Sequence, residues 1–231
     1  MFVKESTADG NLRESPFAQI AGPYLEALLA ADRSRAQQII TDALGEGLAI
    51  RDLYLGVFQP VQHEVGRLWL INKVSVAEEH FCTAATQTIM SALYPQIISS
   101  KRIGRTMVAA CVGSELHEIG IRMVADFFEM EGWDTYYIGA GISHSQILSV
   151  IEQQKPDLLA LSATMTHHIQ KVQELISVIR SAFTVVSPRI MVGGMPFNIS
   201  PELWRTVGAD LWASDAAQAV QLAQQITTTP C

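Results

Sequence analysis

The sequence predicts an α/β protein in two parts, a bundle of about four helices followed by an open five-stranded parallel sheet with helices on both faces. Two observations carry this prediction. From residue 17 to about 98 the apolar residues recur at helical spacing, and from residue 106 onward short apolar runs alternate with segments of helical length. A third consideration says where to look for function: in open parallel sheets, ligands bind at the carboxyl ends of the strands.

The helical part is marked by Ile20, Tyr24, Leu25 and Leu28, then Ile39, Ile40, Ala43 and Leu44, then Leu53, Val57, Val61, Val65 and Leu68, each set one face of a 3.6-residue period. Residues 31–34 and 45–50 read as short turns between antiparallel neighbours. Ser75 followed by Glu78 has the form of a capping box that opens the last helix. After the polar run 99–104, the stretches 106–112, 133–139, 157–162, 189–192 and 210–212 read as strands. Ser143 with Gln146, Ser200 with Pro201, and Asp215 signal helix starts between them. The expected organisation is a disordered tail over residues 1–16, a helical-bundle cap over 17–100 and a sheet domain over 101–231.

With 48% hydrophobic and 17% charged residues among 231, the chain can bury a large core. A net charge of -7 without a basic stripe argues against direct nucleic-acid binding. The polar N-terminal stretch lacks an apolar signal core, and no segment approaches the roughly 18 apolar residues a membrane span needs, so a soluble cytoplasmic protein is expected. Cys82, Cys111 and Cys231 form no CxxC pair and read as reduced thiols rather than disulfide or zinc ligands.

The loop after the first strand carries Glu115, His117 and Gly120. A histidine at a strand-to-helix turn with a carboxylate two residues before it suits a metal-binding imidazole, one nitrogen for the metal and the other for an orienting acceptor. Taken alone, such a histidine is more often an ordinary polar or capping residue. The loop after the third strand carries Ser162 and Thr164, and the fourth strand ends in Gly193 and Gly194, a pair that also serves as a plain strand-end turn.

Together these loops resemble the cobalamin-binding fold of methionine synthase, methylmalonyl mutases and cobalamin photoreceptors, which carries D-x-H-x-x-G, then S-x-L or S-x-T, then G-G. Here Glu115-x-His117-x-x-Gly120 is followed after 41 residues by Ser162-x-Thr164 and after 28 more by Gly193-Gly194. The resemblance implies a Rossmann-like (flavodoxin-like) domain binding cobalamin, with His117 as the lower axial ligand of cobalt in place of the cofactor's own base. It implies that Gly120 lets the first helix approach the corrin, that Ser162 meets the displaced base, and that Gly193 and Gly194 line the slot for the nucleotide tail. Glu115 stands where the family has Asp, and its extra methylene requires it to fold back or reach through water.

In the helical part, Trp69, nine residues, then Glu79-His80 is similar to the W-x9-EH pattern of photoreceptor caps that hold adenosylcobalamin. The same three residues also read as bundle core and a solvated helix face. Leu70 occupies the place where some light-sensing repressors have a cobalt-capturing histidine, and an alkyl side chain cannot ligate a metal. The segment 115–133 further resembles the photocobilin group, which adds a linear tetrapyrrole such as biliverdin to cobalamin. His167 and His168 read as an exposed pair at a helix start, with a bilin contact as the alternative. The expectation is a signalling module, not an enzyme, in which light cleaves the cobalt-carbon bond of adenosylcobalamin, with output through a homo-oligomer or a separate signalling protein. The alternatives are a corrinoid carrier for methyl transfer and a haem sensor with His117 as axial ligand.

Overall fold

In the computed structural model of the chain, residue 12, residues 14–98 and residues 101–226 are described. The expected disordered tail, apart from residues 12 and 14–16, and Cys231 lie outside the described residues. The chain forms two compact units that part between Gln96 and Ile97.

The first unit holds α1 (Ala18–Leu29), α2 (Arg33–Gly45), α3 (Ile50–Leu53), a π-helical turn (Tyr54–Phe58), α4 (Gln59–Leu70) and α5 (Val76–Ile97). Because α3, the π turn and α4 run on without a break, the unit is the expected bundle of four helices. Gln59 N–H donates to Tyr54 O, five residues back, and Pro60 brings no N–H to the next position, so the ladder widens there. Of the periodic residues, Tyr24, Leu25, Leu28, Ile40, Leu53, Val57, Val61, Val65 and Leu68 are buried. Each such side chain contributes about 1.5–3 kcal/mol of burial energy, which is what holds these helices together. The capping box is formed: Glu78 N–H donates to Ser75 Oγ (3.3 Å) and Ser75 N–H to Glu78 Oε2 (2.7 Å).

The second unit runs β1 (Thr106–Cys111), α6 (Ile119–Met130), β2 (Asp134–Gly139), α7 (His144–Gln154), β3 (Leu158–Ser162), α8 (Ile169–Ala182), β4 (Arg189–Gly193), α9 (Met195–Ile199), α10 (Leu203–Thr206), β5 (Leu211–Trp212) and α11 (Ala216–Ile226). All pairs are parallel and the order is β2-β1-β3-β4-β5. This is the Rossmann-like, flavodoxin-type sheet the motifs implied, and its switch point lies between β1 and β3. Val108, Ala110, Leu159, Leu161, Ile190 and Val192 share one core with Ile147 and Ile151 of α7 and Leu175 and Ile179 of α8. On the other face α6 packs against β1, β2 and α11.

Three strands, β2, β3 and β5, begin one residue later than their apolar runs suggest, and in β3 and β5 the residue left out is a carboxylate bound to the neighbouring strand. Asp157 accepts from Thr106 N (2.9 Å) and Asp210 from Ile190 N (2.6 Å). Ser143 and Asp215 cap helices as read. Ser200 does not: the crossover from β4 to β5 is made by two short helices, the first starting directly after Gly194.

Candidate functional site

The switch point places the loop after β1 beside the loop after β3, and one side chain ties them together. Gly113 takes a positive φ of 72° that turns the chain off β1. Glu115 follows, with only 1% of its side chain exposed. Its Oε1 accepts Leu116 N (3.1 Å), His117 N (3.0 Å) and the His117 Nδ1 proton at close range. Its Oε2 accepts Thr164 N (2.7 Å), Met165 N (3.2 Å) and His168 Nδ1 (3.1 Å). Burial alone would raise the Glu115 carboxyl, but the donors from His117, Thr164 and His168 outweigh it and hold the group well below the usual carboxylate range. Glu115 is thus a fixed anion that reaches the imidazole directly; the extra methylene needs no bridging water.

His117 keeps 39% of its side chain exposed. With Nδ1 bound to a carboxylate, an imidazole ligates through Nε2, and the acceptor fixes both tautomer and ring orientation. Beside it, Leu116 is 69% exposed, and a Cβ placed on Gly120, the second residue of α6, would meet nothing within 4 Å. Glu118 Oε2 accepts Ala140 N (3.1 Å), joining this loop to the one after β2. Cys111 is buried below, its thiol pushed up to about 12 by burial and by the charges of Glu115 and Glu118, so it does not compete as a thiolate ligand.

The expectation of an exposed His167–His168 pair is corrected for His168, which is buried at 4% exposure. Its Nδ1 meets Glu115 and its Nε2 lies 3.2 Å from Ser114 Oγ, while His167 stays at the surface with its ring edge against it. Sequence reasoning missed His168 and Ser114 as members of the site. The available signal was position: His168 follows the carboxyl end of the strand next to β1.

Ser162 and Gly193 are register partners on β3 and β4, and Ser162 is 7% exposed. Gly194 has φ +105°, and a Cβ there would lie 2.1 Å from Ala163 O. A Cβ on Gly193 would lie 3.2 Å from Ala213 O. The close approach of neighbouring backbone therefore already demands Gly194, whatever else the slot receives.

In the first unit, Trp69 is half-buried near the end of α4 and Leu70 is 70% exposed. Glu79 Oε2 lies 2.6 Å from His80 Nδ1, with 14% of the Glu79 side chain and 67% of the His80 side chain exposed.

Of the two imidazoles that Glu115 holds at the switch point of this parallel α/β module, His168 is buried and His117 is the one exposed enough to meet a cofactor. The donor set and the open space off Gly120 fit a corrinoid. The chain matches the B12 binding domain family over residues 105–221, and a second B12 binding domain family over residues 21–94. It belongs to the B12-binding family. Dimethylamine corrinoid protein 1 of Methanosarcina acetivorans is 24% identical over 220 residues, 93% of this chain and 98% of that protein. The structure of Methanosarcina barkeri monomethylamine corrinoid protein is similar at a TM-score of 0.80 and 20% identity, covering 91% of this chain and 99% of that one. A chain of the methanol:cobalamin methyltransferase complex of Methanosarcina barkeri is similar at a TM-score of 0.51 and 16% identity, covering 93% and 82%.

These findings overturn the light-sensor expectation. Relatives matching nearly the whole chain are named corrinoid proteins, not photoreceptors. The photoreceptor reading rested on Trp69, Glu79 and His80, three positions on two helices, against similarity that spans both units. The same findings give no support to the adenosyl form, to a bilin or to a signalling partner, and of the His167–His168 pair suggested for a bilin only His167 remains at the surface. No described helix is long and apolar enough to cross a membrane.

Proposed function

We propose that this chain is a corrinoid carrier that passes methyl groups between separate methyltransferase proteins. The observation that supports it most is the Glu115–His117 pair at the switch point of a chain related to methylamine corrinoid proteins along nearly its whole length. When bound, the corrinoid supplies a cobalt that takes up and gives back a methyl group. Glu115 accepts a hydrogen bond from His117 Nδ1, which would present His117 Nε2 to hold the cobalt. Ser162 faces the displaced base, Thr164 anchors Glu115 through its backbone, and Gly193 and Gly194 leave room for the nucleotide tail. Gly120 leaves room for the corrin edge.

Reconstitution with cob(II)alamin tests the reading. The electron paramagnetic resonance spectrum is expected to show splitting from one axial imidazole nitrogen, lost in His117→Ala. Methylcobalamin is expected to bind more tightly than adenosylcobalamin and to yield its methyl group to a methyltransferase. Preference for the adenosyl form, with no transfer to any methyl acceptor enzyme, would overturn it.

A further inference from the structure

The carboxylate behind His117 serves two imidazoles, and the carrier function accounts for only one of them. Glu115 Oε1 holds His117, while Oε2 meets His168 Nδ1 at 3.1 Å across the gap between the β1 and β3 loops. The His168 side chain is 6% exposed, so water does not screen this contact. Its Nε2 lies 3.2 Å from Ser114 Oγ, and Ser114 stands at the surface. A line of hydrogen bonds therefore runs from Ser114 through His168 and Glu115 to His117.

Proton counting gives the line a direction. An ionised Glu115 can only accept, so His168 donates to it from Nδ1. In the neutral imidazole Nε2 is then an acceptor and takes the Ser114 hydroxyl proton. Holding the carboxylate in place does not require His168. Thr164 N (2.7 Å) and Met165 N (3.2 Å) already fix Oε2, and Leu116 N and His117 N fix Oε1. What His168 adds is a further donor to a buried charge. A carboxylate shared with a second imidazole pulls less on the proton of the first, and an imidazole whose proton is pulled less is a weaker base at its other nitrogen.

We propose that His168 is a positioning residue of the lower ligand, acting through Glu115: it tempers the pull of the carboxylate on His117 Nδ1 and so keeps the bond from His117 Nε2 to cobalt loose enough to open. A methyl group handed on as a cation leaves both electrons of its bond on cobalt(I), a d8 ion that holds no axial nitrogen. His117 must therefore let go and bind again in every cycle, and too firm a bond would oppose the release. This rests on the reading that His117 is the lower ligand of a methyl-carrying corrinoid.

The test uses the full chain reconstituted with cob(II)alamin, and follows the cobalt(II)/cobalt(I) midpoint potential together with the nitrogen splitting from His117. His168→Leu, close in volume, removes the donor. His117 should then hold cobalt(II) roughly fivefold more tightly, which lowers the potential by roughly 40 mV at about 59 mV per tenfold for one electron, with the splitting retained. His168→Asn, whose amide offers an N–H near the place of Nδ1, should return the potential to the wild-type value. Ser114→Ala, at the surface, weakens His168 as a donor and should lower the potential by roughly 20 mV, about twofold. A purely structural role for His168 would alter melting temperature and leave the potential where it is. If the splitting persists but the potential of His168→Leu is unchanged or raised, the tempering role is refuted while the ligand reading stands; Ser114→Ala decides by the same criterion where His168→Leu does not fold. If the wild type shows no nitrogen splitting, or His117→Ala has the wild-type spectrum and potential, the ligand reading itself is refuted, and the proposal with it.

Discussion

Replacing Glu115 by Gln is the sharpest probe of the site. Six donors converge on its two oxygens, three from the β1 loop and three from the β3 loop. A glutamine amide has the same shape but one oxygen, so whichever way it turns, its NH2 faces three donors. Each buried donor left without an acceptor costs about 1–3 kcal/mol. The His117 end is partly exposed and relaxes toward water, which brings the expected loss to about 3–5 kcal/mol, the range for breaking a buried charged contact. Guanidinium unfolding of the corrinoid-free protein at neutral pH measures it. The pH dependence gives a second reading. The folded Glu115 carboxyl lies below its ordinary value, so its stabilisation is complete above the unfolded carboxyl pKa of about 4.3 and fades as pH falls below that toward the folded value. The gap between wild type and Glu115→Gln should therefore be constant from pH 7 to 5 and narrow in stronger acid. A loss under about 1 kcal/mol, or a gap unchanged down to pH 3, would show that the carboxylate does not fasten the two loops.

Other outcomes follow from the same geometry. His168→Ala removes a buried contact to Glu115 and is expected to cost about 1–3 kcal/mol by chemical denaturation, although a surface histidine at that place would cost almost nothing. Gly194→Ala forces a side chain onto Ala163 O at a positive φ, and should lower cofactor-free stability by about 2–4 kcal/mol. Gly120→Leu points into open space in a helix, so thermal melting of the cofactor-free protein should be unchanged or slightly raised while titration shows cobalamin affinity reduced at least roughly tenfold. Equal affinity in that variant would remove the corrin from the side of α6.

The fold was largely legible because its signals are local. Strand runs, the capping Ser75 and Ser143 and the helical stripe through Val57, Val61 and Val65 each follow from neighbours in the chain, and the structure places them within a residue or so of where the sequence does. The site was half legible. Glu115 and His117 share a loop, and their spacing alone suggested their contact. His168 lies 53 residues from Glu115 and is buried because that longer carboxylate reaches across to the β3 loop, a consequence no window around His168 contains. Gly194 was noticed, but the atom that demands it, Ala163 O, belongs to the loop that follows the adjacent strand. The light-sensing reading erred differently: Trp69, Glu79 and His80 are real features of two helices, yet a pattern that small does not specify which chemistry the cofactor serves.

The wide turn at Tyr54–Phe58 bears on what kinds of change this chain can absorb. It accommodates one residue more than an unbroken α ladder would. Deleting one residue within it would regularise the ladder and leave everything downstream facing as it does, whereas deleting one from the regular α ladder beside it would rotate everything downstream by about 100° about the axis. Val61, Val65 and Leu68 would swing away from the interior and Gln62 and His63 toward it. Exchanges of side chain are therefore tolerable along this rod in a way that a shift in its length is not, except for loss of a single residue within the wide turn itself.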